Sequence, residues 1–172
     1  MRKFIILFII LFSSTVYSEE LPMFFDSGID SYNFLAQDTT KELLENKKKN
    51  TEFGFSTYEF MLGNNHIIQF VVHPESLIYE VSEINVIEYD NRHLSNNYPN
   101  KAITHKGISL GISKEDLVRK IGAPASVTAK RYEYKSEYDK AILKRYNMPL
   151  YYSSYAFVNN KLVSFSFGFE YP

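Results

Sequence analysis

The chain of 172 residues contains no cysteine, no tryptophan and only 7 glycines. Without cysteine it can form no disulfide, no thiol nucleophile and no cysteine-ligated metal site. The attachment residue of a bacterial lipoprotein is also missing, so we expect no lipid anchor. We therefore expect a domain that is stabilised by its hydrophobic core alone.

Excess charge of either sign is absent as well, because 19 basic residues stand against 20 acidic ones and give a formal net charge of −1. Nucleic acids and anionic lipid surfaces are bound by strongly basic surfaces, and a near-neutral chain offers no such field. We expect no nucleic-acid partner and no stable membrane anchor. The abundant residues are aromatic, with 14 phenylalanines and 14 tyrosines, which favour strands.

Long apolar runs are confined to residues 4–12, which follow the basic pair Arg2 and Lys3. Nine apolar residues are too few for a membrane span, which needs about 20. The layout, with small residues up to Ser18, is typical of a secretory signal peptide over residues 1–18. We expect export to the periplasm or the medium, followed by a single domain over residues 19–172.

The remaining pattern predicts an α+β fold. Residues 19–37 mix single aromatics with turn residues, which predicts an extended, partly ordered segment. A capping box from Thr39 to Glu42 predicts a helix over about 39–48. Alternating apolar residues at 53–62, 66–72 and 77–89 predict an antiparallel meander, and we expect one antiparallel sheet of about five to seven strands with helices packed on one face.

The strongest helix signal covers residues 113–121. Ser113 is a suitable N-cap, Asp116 stands three residues later, and Gly122 and Pro124 end the pattern. Further on, residues 136–146 predict either a helix or an irregular insertion. The pair Asn159-Asn160 predicts a hairpin with a type I′ turn. We expect its buried face to carry Val163, Phe165, Phe167, Phe169 and Tyr171.

The stretch 107–124, GISLGISKEDLVRKIGAP, resembles the repeat of the SmpA/OmlA family and of β-lactamase-inhibitor-like domains. In those repeats a glycine-flanked capped helix ends in Gly-x-Pro and aromatic antiparallel strands follow it. The helix part is filled here by Gly107, Gly111, Ser113, Asp116, Gly122 and Pro124. Tyr132–Tyr134 and the hairpin 155–169 fill the strand part, so that the resemblance covers about 104–171.

The resemblance implies a non-enzymatic fold that binds proteins, either in outer-membrane assembly or as an inhibitor. The sequence departs from both groups, because the assembly members are lipoproteins and the inhibitors usually carry disulfides. No functional residue of either group maps onto this chain. Residues 39–90 are either a diverged first copy of the unit at 104–172 or a distinct module.

No catalytic motif, cofactor motif or metal motif is present. The four histidines, His66, His73, His93 and His105, include no pair at helical i, i+4 spacing, and we expect none of them to bind a metal, alone or with Glu88 or Asp90. G-x-S-x-G, P-loop and dinucleotide patterns are absent. The acid pairs Glu80/Glu83 and Glu133/Glu137 are most simply exposed strand residues.

Tyrosines and basic residues alternate through residues 130–155, a composition that is favoured in protein interfaces. We predict partner-binding residues at Arg131, Tyr134, Tyr138, Arg145, Tyr146 and Tyr152. Alanine at Tyr134, Arg145 or Tyr152 should weaken partner capture without unfolding the domain.

The function that this predicts is an exported soluble protein-binding module of the envelope assembly-factor or inhibitor/immunity class. The alternative is a small exported hydrolase, or a protein that binds a glycan or another small ligand through His105 or the carboxylates. An enclosed pocket with convergent polar groups would favour this alternative, and an open sheet face would favour protein binding.

Overall fold

A computed structural model describes residues 20–34, 37–47, 49–52, 54–63, 65–73, 80–89 and 96–170. The predicted signal peptide over residues 1–18 lies outside these ranges. So do Asp90, His93 and Tyr171, and residues 77–79 of the predicted third strand.

The described residues form thirteen elements. Two short strands, Gly28–Ile29 (β1) and Tyr32–Asn33 (β2), pair with each other. They are followed by Gln37–Leu44 (α1), Lys49–Glu52 (β3), Phe55–Met61 (β4), His66–Val72 (β5) and Glu83–Glu88 (β6). The second half contains Lys114–Ile121 (α2), Ser126–Val127 (β7), Arg131–Glu137 (β8), Lys140–Tyr146 (α3), Leu150–Val158 (β9) and Lys161–Phe169 (β10).

The main sheet is antiparallel and has eight strands in the order β3-β4-β5-β6-β10-β9-β8-β7. The predicted α+β class is confirmed, and the sheet is larger than predicted because it gains the short edge strands β3 and β7. After the β1–β2 pair, each half of the described chain contains a helix followed by four strands, and α3 is inserted between β8 and β9. The last strands of the two halves, β6 and β10, pair at the centre and make one continuous sheet.

Strand register divides the sheet into two faces. One row across the sheet joins Tyr58, Phe70, Ile84, Phe167 and Ser153 through successive strand pairs. Most side chains in this row belong to one buried hydrophobic cluster. The same cluster contains the buried residues Leu43, Leu44, Leu117, Ile121 and Ile142 of the three helices. The helices therefore cover this face, which we call the covered face, and the opposite face is the open face.

Capping residues determine where α2 begins and ends and where α3 begins. The predicted second helix is confirmed: Ser113 Oγ accepts the Asp116 N–H at 3.1 Å, and Gly122 follows the helix with φ of 85°. Residues 140–146 form a helix, not an irregular insertion, because Asp139 accepts the backbone N–H groups of both Ala141 and Ile142 at 3.0 Å. Each cap satisfies donors that the first helical turn leaves unpaired.

The first helix differs from the prediction over 39–48. It spans Gln37–Leu44, so Thr39 lies inside the helix and is not its N-cap. The chain leaves the helix through Asn46, which has a positive φ of 62°. Lys49 then pairs with Tyr58 in the sheet. The run of lysines, which predicted the end of the helix, therefore leads into a strand.

The C-terminal hairpin has the predicted turn, with φ of 49° at Asn159 and 60° at Asn160. Its predicted alternation is wrong at one point. The register shifts between Leu162 and Ser164, and this bulge puts Leu162 in the core with 1% exposure, while Val163 is half-buried. Beyond the bulge Phe165, Phe167 and Phe169 are buried as predicted.

The N-terminal segment 20–34 is part of the core, in contrast to the predicted partly ordered segment. Phe25 packs against Tyr151 with ring centroids 4.6 Å apart, and Phe34 packs edge-on against Phe167 at 5.4 Å. The Asp30 carboxylate accepts the Tyr98 hydroxyl and the Ala102 N–H. Its aromatic residues thus fill the covered face of the sheet.

Asp26 is fully buried in this segment, and its titration predicts a pH effect. Burial raises the pKa of its carboxyl, although hydrogen bonds from Thr104 and Lys106 oppose the shift. The folded protein thus keeps this proton at pH values where the unfolded chain, with a pKa of about 3.9, has lost it. The free energy of unfolding should therefore decrease as pH rises from the unfolded pKa through the folded one.

Asp26→Asn is expected to remove this decrease while keeping an oxygen acceptor for the Lys106 N–H. Urea denaturation of both proteins between pH 3.5 and 7 is the measurement. The stability advantage of Asp26→Asn over the unsubstituted protein should grow with pH. Parallel stability curves across this range would contradict the prediction.

Candidate functional site

The open face of the sheet forms a groove with a volume of about 990 Å³. Strands β6, β8 and β9 and the residue after β10 supply most of its charged and polar surface. The side chains that shape its chemistry are Glu83, Arg131, Lys135, Tyr152, Ser154 and Glu170. Residues 131, 133 and 135 reach the groove because alternate residues of β8 point to the same face.

The floor of the groove is organised around Gly168. Lys135 pairs with Tyr152, Tyr152 with Gly168, and Gly168 with Glu83, so these four positions form one row across β8, β9, β10 and β6. Because glycine has no side chain, Tyr152 and Glu83 can meet above it. The Tyr152 hydroxyl forms a hydrogen bond with the Glu83 carboxylate.

Glu83 is a half-buried carboxylate that receives only neutral donors. Asn85 Nδ2 donates to its Oε1 at 2.7 Å, and the Tyr152 hydroxyl is the second donor. Burial, then the charge of Glu83 and its hydrogen bond, raise the pKa of Tyr152 above that of free tyrosine. Among the described residues no lysine or arginine forms an ion pair with Glu83.

The two cations of the groove differ in their partners. Lys135 Nζ lies 3.4 Å from Glu170 Oε2 and 3.5 Å from Glu137 Oε1, and the hydrogen bond to Glu170 raises the pKa of Lys135. Arg131 Nη1 donates to the neutral Ser154 hydroxyl at 3.1 Å. Within the described ranges Arg131 pairs with no carboxylate, so its charge is available to a ligand.

One wall of the groove is aromatic and comes from the opposite half of the sheet. The Phe55 ring meets His73 edge-on, with ring centroids 4.5 Å apart. Phe55 is 36% exposed, whereas His73 is buried at 7%. Burial lowers the pKa of His73, and the charge of Glu83 opposes this shift.

Two of the predicted interface residues, Arg131 and Tyr152, lie on the open face in the groove. Tyr134 is 1% exposed, its ring packs edge-on against Tyr155, and its hydroxyl donates to the Gly122 carbonyl at 2.9 Å. Burial raises the pKa of Tyr134 to about 12. The expectation that Tyr134→Ala leaves the fold intact is therefore wrong, because truncating a buried aromatic ring typically costs about 3–5 kcal/mol.

The other predicted residues lie near α3. Tyr138 is 73% exposed and borders a small cavity beside the groove, where Glu170 lines both. Arg145 stacks over the Tyr146 ring at 5.6 Å, and that ring packs on Phe169 of the covered face. The six residues therefore do not form one surface, and Arg145 and Tyr146 belong to the side of the sheet opposite the groove.

Glu83, Lys135 and the aromatic wall were not among the predicted site residues. The sequence pattern presents Glu83 and Glu133 only as exposed strand acids. The signal that could have found the β8 residues is their period of two: Arg131, Glu133 and Lys135 must share the face opposite Tyr132 and Tyr134. No comparable signal brings Phe55 and His73 to the groove, because they come from distant strands.

The described histidines have separate surroundings. His66 Nε2 lies 3.0 Å from the Val163 carbonyl oxygen, and His105 Nδ1 lies 2.9 Å from Ser27 Oγ. His105 does not line the groove. Over the described residues no group of three or more histidine, aspartate or glutamate side chains is arranged to hold a metal ion.

No helix in the described part of the chain is long and apolar enough to cross a membrane. Comparison with known protein families, with curated proteins and with solved structures finds no match to this chain. The function must therefore be argued from the geometry of the groove.

Proposed function

We propose that this protein is an exported, non-enzymatic module that captures a partner protein with the open face of its sheet. The observation that carries the proposal is the contrast between the two faces. The buried residues of all three helices lie on the covered face, while the open face presents a groove of about 990 Å³. An open sheet face of this kind suits a protein surface better than an enclosed small molecule.

The residue types around the groove support a protein partner. Arg131, Tyr152 and the exposed ring of Phe55 are of the kinds enriched at protein interfaces, and the exposed Tyr138 stands beside the groove. The floor is held by hydrogen bonds between neighbouring strands, so it is preorganised. A preorganised surface loses less conformational entropy when it binds.

The assembly-factor or inhibitor/immunity class is proposed on two grounds. The stretch 107–124 and the strands after it resemble SmpA/OmlA and β-lactamase-inhibitor-like domains. The chain also repeats one arrangement, a helix followed by four antiparallel strands, in both halves. With residues 1–18 as a signal peptide, the proposed location is the periplasm or the medium.

Substitutions on the two faces test the proposal. Protein produced from the full chain should capture a stoichiometric partner from the envelope or culture fluid of its host. Arg131→Ala and Tyr152→Ala are each expected to weaken binding of the recovered partner about 10- to 100-fold, the range of interface hot spots. Calorimetry gives the dissociation constants, and far-UV circular dichroism confirms folding.

Arg145→Ala is the matched control, because it removes the same side chain from the opposite side of the sheet. It should bind the partner as the unsubstituted protein does. Equal weakening by Arg145→Ala and Arg131→Ala, or no weakening by either groove variant, would place the interface elsewhere.

Binding of a glycan is a second candidate, and one observation favours it. The open face carries a row of hydroxyl and amide side chains in register, Ser154, Ser166, Asn85 and Gln69, which donate and accept hydrogen bonds as sugars require. A screen of soluble cell-wall fragments by calorimetry tests it. Sugar binding that is lost in Tyr152→Ala, without a protein partner, would favour this candidate over the first.

A further inference from the structure

Among the described residues, Glu83 is the one groove carboxylate that is half-buried and that pairs with no lysine or arginine. Glu170 is neutralised by Lys135 at 3.4 Å, and Glu133 is exposed next to Arg131 and Lys135 on the same strand face. The described hydrogen-bond partners of Glu83 are Asn85 and the Tyr152 hydroxyl, and the charge of Glu83 also acts on His73, whose pKa burial lowers. A carboxylate offers about four acceptor sites, so about two remain for further donors.

A partly desolvated carboxylate without a counter-ion is most stabilised by a cation that the ligand brings. The residues around Glu83 favour a planar cation over a compact one. Tyr152 lies on one side of it, and Phe55 and His73 line the same groove. A guanidinium can form two parallel hydrogen bonds to the carboxylate and stack on aromatic faces, whereas an ammonium acts as a point charge.

We infer that the partner protein inserts an arginine side chain into the groove, where its guanidinium binds the Glu83 carboxylate beside Tyr152. This inference rests on the proposed function and names the chemistry of the partner at that site. Arginine is among the residues that dominate binding energy at protein interfaces, particularly in desolvated central pockets. Glu83 would then supply specificity, because a partner without the arginine would leave this half-buried carboxylate without a counter-ion.

A titration with small probes tests the inference without the partner. The probe is Nα-acetyl-arginine methylamide, and its neutral isostere is the citrulline analogue. Chemical shifts of the ¹⁵N-labelled protein follow binding. The arginine probe is expected to bind at least tenfold more tightly than the citrulline probe, with the largest shifts at Glu83, Tyr152 and Gly168. This comparison uses the unsubstituted protein, so it does not depend on any variant folding.

Glu83→Gln should abolish the difference between the two probes, whereas Glu133→Gln, the matched carboxylate on β8, should preserve it. A lysine probe that binds as tightly as the arginine probe would overturn the assignment of a guanidinium. Equal binding of the arginine and citrulline probes would overturn the inference entirely.

Partner capture separates this inference from the proposed function. If Glu83→Gln captures the partner normally while Arg131→Ala and Tyr152→Ala do not, the groove binds the partner but the arginine anchor is wrong. If neither groove variant affects capture, the proposed function fails, and the probe titration still decides whether Glu83 binds a guanidinium.

Discussion

Gly168→Ala is expected to destabilise the protein by about 2–4 kcal/mol, the sum of backbone strain and overpacking. Gly168 has a φ of 155°, and a Cβ there would overlap the Ser82 carbonyl oxygen and lie 2.6 Å from Glu83 Cα. Both contacts are backbone atoms at the start of β6 and in the residue before it, and backbone atoms cannot rotate away as a side chain can. Urea denaturation monitored by tyrosine fluorescence gives the free energy of unfolding.

Gly63→Ala is the matched control. Gly63 also has a positive φ, 74°, but no atom of the described residues beyond its chain neighbours lies within 4 Å of the added methyl group. Its cost should be the backbone strain alone, about 1 kcal/mol. A Gly168→Ala protein as stable as Gly63→Ala would show that β6 and β10 can separate at this point, and the close approach that forms the groove floor would not be required.

The elements that could be predicted from the sequence are those whose signals are local. Ser113, Gly122 and the asparagine pair at 159–160 act within four residues of themselves, so α2 and the turn of the C-terminal hairpin are predicted correctly. The short edge strands could not be predicted in this way. Ser126–Val127 has only two residues and no alternation, and its pairing with β8 decides its structure.

The tertiary packing of the N-terminal segment could not be predicted from local signals either. Its turn residues indicate an extended conformation, and the sequence contains nothing local that places Phe25 against Tyr151 across more than a hundred residues. The predicted helix end at about residue 48 is wrong for a similar reason: the lysine run is typical of a helix end, but the helix ends at Leu44 and strand β3 begins at Lys49.

The groove was predictable only in part. Composition points to segment 130–155, and three residues predicted there, Arg131, Tyr134 and Tyr152, line the groove, although Tyr134 is buried at 1% exposure. The period of two within β8 is enough to separate Arg131 from Tyr134, because strand residues three apart point to opposite faces. The role of Glu83 could not be predicted from the sequence, because it depends on the register of β6 with β10 and on the glycine opposite Glu83.

Tyr151→Phe is expected to lower the free energy of unfolding by about 2–4 kcal/mol, since each buried polar group left unpaired costs about 1–3 kcal/mol. The Tyr151 hydroxyl accepts the Asp26 N–H at 2.9 Å and donates to the Asp26 carbonyl at 3.2 Å, and all these groups are buried. Removing one oxygen therefore orphans a donor and an acceptor. The loss should also free the N-terminal segment, which limited proteolysis would detect as faster cleavage before residue 35.

Tyr155→Phe is the control for Tyr151→Phe, because it deletes the same atom from a ring that is equally buried, one tyrosine further along the same face of β9. Among the residues that the structure describes, none forms a hydrogen bond with the Tyr155 hydroxyl. The Ser153 hydroxyl is near enough to oppose the rise that burial causes in the pKa of Tyr155. Removing a buried, unpaired hydroxyl should change stability little or raise it. Equal losses in the two variants would mean that ring environment, and not the bond to Asp26, determines the effect. A loss confined to Tyr151→Phe would show that one hydroxyl on β9 holds the N-terminal segment over the covered face.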